Sequence, residues 1–111
     1  MRQESLGEFE QALLLAVAHL RETAYGVTIR QEIESRTGRD VAIGALYTSL
    51  GRLERKGLLR ASMSDPTPQR GGRAKRHYRL TAAGATALRL SHERFVRMWK
   101  GLQPGLPKVR F

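Results

Sequence analysis

Over the first twenty positions apolar side chains recur at Leu6, Phe9, Leu13, Val17 and Leu20, steps of three and four that line one face of an α-helix. Ser5-Leu6-Gly7-Glu8 has the Ser-x-x-Glu form of a capping box, in which hydroxyl and carboxylate each satisfy an orphan backbone N–H, so the first helix is predicted to start there. A second helix is predicted over about 25–37, with Tyr25, Ile29 and Ile33 on one face and Gly38 where a left-handed C-terminal residue is wanted. A third spans about 44–56, with Leu46, Leu50 and Leu53 inward and Gly57 closing it in the same way. Residues 58–63 and 75–80 then read as two short strands that pair antiparallel. Between them Asp65-Pro66-Thr67-Pro68-Gln69-Arg70-Gly71-Gly72-Arg73 rules out regular structure and makes a long hairpin tip. Thr81 caps a last helix over about 82–100, and Gly101, Pro104, Gly105 and Pro107 end it in a loose tail.

Three helices, a hairpin and a long helix make a mainly α (α+β) chain of winged helix-turn-helix type, with a two-stranded β wing and a C-terminal helix. In that arrangement the third helix enters the DNA major groove and the wing rides the backbone. The expected division is a DNA-binding unit over 1–81, a dimerisation helix over 82–102 and a tail over 103–111.

Charge sharpens this picture. Twenty Lys+Arg stand against ten Asp+Glu, a net charge of +10, and the excess is concentrated: Arg70, Arg73, Lys75, Arg76 and Arg79 fall within ten residues that hold no carboxylate. Clustered cations repel one another and make sense chiefly when a polyanion neutralises them, and Gly71 and Gly72 permit close approach to a phosphodiester. On the third helix the residues expected to face outward are Ala45, Tyr47, Thr48, Ser49, Arg52 and Arg55, which are small, hydroxylic or cationic. Hydroxyls donate to phosphates or base edges, the Thr48 methyl suits a thymine methyl, and Arg52 reaches a guanine edge or a phosphate. Tyr47 alternatively packs half-buried with its hydroxyl at the surface.

Other classes of function fall away. At 111 residues the chain has room for one small domain. It has no cysteine and three histidines on different elements, which offers neither a nucleophile with a base nor a metal site, and no metal or cofactor is expected. Gly71-Gly72-Arg73-Ala74-Lys75 lacks the spacing of a phosphate loop and leads into a strand rather than a helix. The longest apolar run, 12–18, is far below the roughly 20 residues that span a bilayer. The start of the chain lacks a signal peptide's apolar stretch, so a cytoplasmic protein is expected.

Five stretches in order resemble the PadR family of bacterial transcriptional regulators: Leu6-Gly7-Glu8-Phe9-Glu10, Ala24-Tyr25-Gly26-Val27-Thr28-Ile29, Gly44-Ala45-Leu46-Tyr47-Thr48-Ser49-Leu50, Leu53-Glu54-Arg55-Lys56-Gly57-Leu58 and Arg70 through Thr81. The resemblance runs from Leu6 to about Leu90. It implies a dimeric winged-helix repressor, with the segment around Tyr47 on the recognition helix and Arg70 to Arg76 on the wing. Many members have proline where this chain has Thr48, and longer members carry a larger effector-binding domain in place of a single C-terminal helix.

In that last helix Gly84, Leu88, Ser91, Phe95, Met98 and Leu102 step by fours and threes, a narrow seam of the kind that pairs two helices. The expected homodimer interface is Leu88, Ser91, Phe95, Met98, Trp99 and Leu102; the alternative is that this helix folds back on its own core. A two-fold dimer sets two recognition helices about 34 Å apart, and so an operator that is a pseudo-palindrome. Some short members of the family hold flat aromatic compounds between their dimer helices, and by that resemblance Trp99 is a candidate stacking face for a small aromatic effector. The competing reading is a basic protein that adheres to RNA, random duplex or anionic surfaces through Arg89, Arg94, Arg97 and Lys100 beside Phe95 and Trp99.

Overall fold

The computed structural model describes residues 6–63 and 75–102. In chain order they form helices α1 (Glu8–Leu20), α2 (Gly26–Thr37) and α3 (Ile43–Arg55), strands β1 (Leu59–Met63) and β2 (Arg76–Leu80), and helix α4 (Ala82–Trp99), with a single 3-10 turn at Arg21–Thr23. This is the winged-helix order read from the sequence.

Helix α1 starts later than the Ser5 to Glu8 pattern implied. Gly7 takes the cap position, and the Glu10 carboxylate accepts from its backbone N–H at 3.2 Å. Because the helix begins at Glu8, the third helical residue is Glu10, the one whose side chain reaches back to the cap. Glu8 instead pairs with Arg39 at 3.1 Å, and Ser5 lies outside the described residues. The buried face is also broader than the expected stripe: Leu14 and Ala16 are buried with Leu13 and Val17, while Leu6, Phe9 and Leu20 pack at its edge.

Helix α2 contributes Ile29 and Ile33 to the core and α3 contributes Leu46, Leu50 and Leu53. Both stop where a glycine takes a left-handed backbone, Gly38 at φ 72° and Gly57 at φ 76°. After α3 the Gly57 N–H reaches the Glu54 carbonyl and the Leu58 N–H reaches the Leu53 carbonyl, each at 3.0 Å, the paired bonds of a Schellman ending. That turn launches β1, which pairs antiparallel with β2 from Leu59↔Leu80 to Met63↔Arg76. Period-two alternation sends Tyr78 into the core while Arg79 stays exposed. On its other edge β2 is met by the chain before α2, where the Tyr78 N–H donates to the Ala24 carbonyl at 2.9 Å.

The start of α4 is locked to the end of α3. The Thr81 hydroxyl accepts from the Gly84 N–H at 3.0 Å and donates to the Gly57 carbonyl at 2.7 Å, and the Thr81 N–H reaches the Leu58 carbonyl at 3.2 Å. Gly84 lies so close that a Cβ there would come 2.2 Å from the Leu58 oxygen and 2.8 Å from Leu80 Cδ1. Among the described residues no helix is long and apolar enough to cross a membrane.

A methyl group at Gly84 pushes first against the Leu58 backbone, which cannot yield, and then against the Leu80 side chain, and overpacking of this kind costs about 1–3 kcal/mol. We therefore expect Gly84→Ala to lower the free energy of unfolding by that amount, read as a lower urea midpoint with an unchanged slope; an unaltered midpoint would mean the α4 contact is slack.

Candidate nucleic-acid interface

Helix α3 exposes Ala45, Thr48 and Arg52 on one side and buries Leu46, Leu50 and Leu53 on the other. Of the residues expected to face outward, Ser49 does not: it is 8% exposed. It lies three residues after Leu46 and four before Leu53, within the arc that faces the core, and its small side chain lets α3 pack closely. Tyr47 is half-exposed, and its hydroxyl lies over the first turn of α2, where a Cβ on Gly26 would fall 2.1 Å from the oxygen. The ring is thus set by α2 rather than extended freely into solvent. Arg52 and Arg55 form no ion pair among the described residues.

The cations around α3 are partly committed. Lys56 Nζ reaches Glu10 at 3.2 Å and so ties the end of α3 to the start of α1. Arg76 places one terminal nitrogen 2.8 Å from both oxygens of Glu54. The hydrogen bond and charge of Glu54 together hold the Arg76 guanidinium even more firmly protonated than usual. Lys75 Nζ sits 4.2 Å from the centroid of the Tyr25 ring, within cation–π range, and His77 tilts against the same ring at 5.5 Å. The expected wing residues Arg70, Gly71, Gly72 and Arg73 lie outside the described residues.

One basic feature escaped the sequence reading. Arg60 on β1 stands directly opposite Arg79 on β2, both exposed. Like charges in that position are unfavourable in isolation and favour a face that meets an anion. The signal was the strand register, which only pairing reveals.

The apolar row of α4 divides in two. Gly84 and Ser91 are buried and Leu88 packs on the core, so the first half of the expected seam is covered by this chain itself. The reason is the tight Gly84 contact, which lays the first turns of α4 on the hairpin base. Beyond Ser91 the row is bare: Phe95, Met98, Trp99 and Leu102 are 58%, 74%, 42% and 40% exposed, and Val96 joins them. A shallow crevice lined by His92, Phe95, Val96, Trp99, Lys100 and Gly101 opens on this half.

A three-helix core with a paired wing, an exposed helix carrying hydroxyls and unpaired arginines, and a basic hairpin define a winged-helix transcription regulator of the DNA-binding class. The chain belongs to the PadR-like family of transcriptional regulators, whose family model matches residues 14–90. Its fold is similar to that of a PadR family transcription regulator from Clostridium difficile, 23% identical over 83% of this chain and 93% of that one, with a TM-score of 0.68. A PadR family regulator from Eggerthella lenta is 26% identical over 85% of this chain and 81% of its own, TM-score 0.64. RosR of H. salinarum is 28% identical over 86% and 79%, TM-score 0.66. No curated protein matches the chain.

Burial pushes the Tyr78 phenol above its ordinary pKa of 10.0, against the opposing pull of the Arg76 guanidinium beside it. The folded state therefore keeps this proton to higher pH than the unfolded chain does. Its contribution to stability is complete below about pH 10 and is lost as pH rises through the raised folded value. Urea melts between pH 9 and 11.5 should fall more steeply for the wild type than for Tyr78→Phe; parallel curves would show that the phenol carries no such linkage.

Proposed function

We propose that the protein is a dimeric repressor that binds a pseudo-palindromic operator, with the recognition face of α3 in successive major grooves. The observation that carries this reading is the bare, unpaired Arg52 beside Thr48 and Ala45 on a helix flanked by a basic hairpin. Arg52 and Thr48 supply base-edge or phosphate contacts, Tyr47 contributes the exposed edge of its ring, and Arg70, Arg73 and Lys75 of the wing segment hold phosphates. Residues 1–81 carry DNA binding, and the outer half of α4 joins two copies through Phe95, Met98, Trp99 and Leu102. Apolar side chains exposed together at this density favour burial against a second copy over solvent. Repression follows from covering a promoter in the cytoplasm, where the DNA is. A flat aromatic effector would fit the crevice beside Trp99 and act by changing the spacing of the two recognition helices.

Fluorescence anisotropy on duplexes tiled across the upstream region of the chain's own gene, at about 150 mM salt, tests the reading. One pseudo-palindromic tile should bind about a thousandfold tighter than a shuffled duplex. Arg52→Ala should remove about 1–3 kcal/mol of that preference. Equal weak binding to every tile, RNA and anionic vesicles would instead favour a general basic adhesive.

The same preparation tests the dimer. Sedimentation of the wild type should report two copies, and Phe95→Asp a monomer that has lost the preference for the paired half-sites while retaining weak duplex binding. A wild-type monomer would remove the outer half of α4 as the interface.

A further inference from the structure

In β2 the side chains of Arg76, Tyr78 and Leu80 alternate onto the side that faces α3, and Arg76 begins that row, just after the segment that carries Arg70 and Arg73. Its partner Glu54 lies on α3, two residues beyond Arg52 and eight beyond Leu46. The two oxygens of Glu54 receive one Arg76 nitrogen at 2.8 Å each, and the guanidinium carbon lies 5.9 Å from the Tyr78 ring centroid. Tyr78 is itself fixed in the core. The pair therefore has a rigid helix on one side and a strand anchored by a buried ring on the other.

We propose that Glu54 and Arg76 form a positioning clamp that joins the outer end of the β1–β2 ladder to the recognition helix, so that both engage DNA as one body, and that Arg76 acts through Glu54 rather than on a phosphate. Three features support this. One guanidinium nitrogen is shared between both carboxylate oxygens, a charge-assisted contact that holds Arg76 centred on the Glu54 carboxylate. Both side chains are partly open to solvent, 48% and 33% exposed, so the pair adds little to folding stability and its worth lies in geometry. Finally, a free carboxylate on α3 would repel the DNA backbone, and Arg76 cancels that charge where it stands. The inference rests on the proposed DNA-binding face and concerns how that face is assembled.

The sign of one substitution decides the matter. Glu54→Gln removes a negative charge beside a polyanion, which by electrostatics alone strengthens binding; loss of the clamp weakens it. We would measure anisotropy of a mixed-sequence 30-base-pair duplex across a sodium chloride series, with thermal melts confirming that each variant is folded. Expected are three- to tenfold weaker binding for Glu54→Gln and for Arg76→Ala, a log–log salt slope for Arg76→Ala equal to that of the wild type, and recovery to within about twofold in the charge-swapped Glu54→Arg/Arg76→Glu protein. Tighter binding by Glu54→Gln would overturn the clamp. So would a slope for Arg76→Ala shallower by about 0.9, the signature of one lost phosphate contact, or a swap that stays weak. Arg52→Ala separates the two levels of argument: if it weakens binding while the Glu54 and Arg76 variants match the wild type, the DNA face stands and the clamp falls. If the wild type does not bind duplex at all, both fall.

Discussion

The contact between the start of α4 and the turn after α3 governs the rest of the architecture. Thr81 binds the carbonyls of Gly57 and Leu58, and Gly84 admits the Leu58 oxygen at a distance no side chain would allow. This one junction closes the base of the hairpin, because Leu59 and Leu80 are the first pair of the ladder. It also directs the exit of α4. The helix of 18 residues is about 27 Å long, and only its first turns find core beneath them. The remainder leaves the body with its apolar row uncovered, in a molecule whose extents are 58 × 35 × 22 Å.

Electrostatics divides the surface by a different rule. Glu8, Glu10, Glu32, Glu34 and Glu54 are each paired, to Arg39, Lys56, Arg36, Arg30 and Arg76. Ion pairs at this level of exposure contribute little to stability. Their larger effect is on the field. Glu54, the one carboxylate carried by α3, is neutralised by Arg76, while Arg52, Arg55, Arg60 and Arg79 make no ion pair among the described residues. A polyanion approaching α3 meets Arg52 and Arg55 without an opposing ion pair, while Arg60 and Arg79 present their charge on the other side of the hairpin.

Much of this was legible in the sequence because it depends on local rules. Leu46, Leu50 and Leu53 repeat at helical spacing, Gly38 and Gly57 mark left-handed endings, and Thr81 caps α4, all of which short-range chemistry dictates. What the sequence did not show depends on packing between elements. Ser49 reads as polar and therefore exposed, yet the angle at which α3 meets the core buries it. Arg76 reads as one more cation in a basic run, yet strand register and the approach of α3 bring Glu54 to it from 22 residues away. The seam of α4 reads as continuous because spacing carries no information on where the core beneath it ends.

That discontinuity is itself informative about mechanism. A helix that is half core and half free surface transmits position from one to the other, since its first turns cannot shift without disturbing Leu58 and hence the end of α3. The outer half of α4 is connected to α3 by a short chain of contacts: Ser91 and Leu88 on the core, Gly84 against Leu58, and the turn at Gly57. Under the proposed two-fold assembly, the direction in which α4 leaves the body sets the separation of the two α3 helices, and it is separation, more than the shape of either face, that decides whether both fit one duplex.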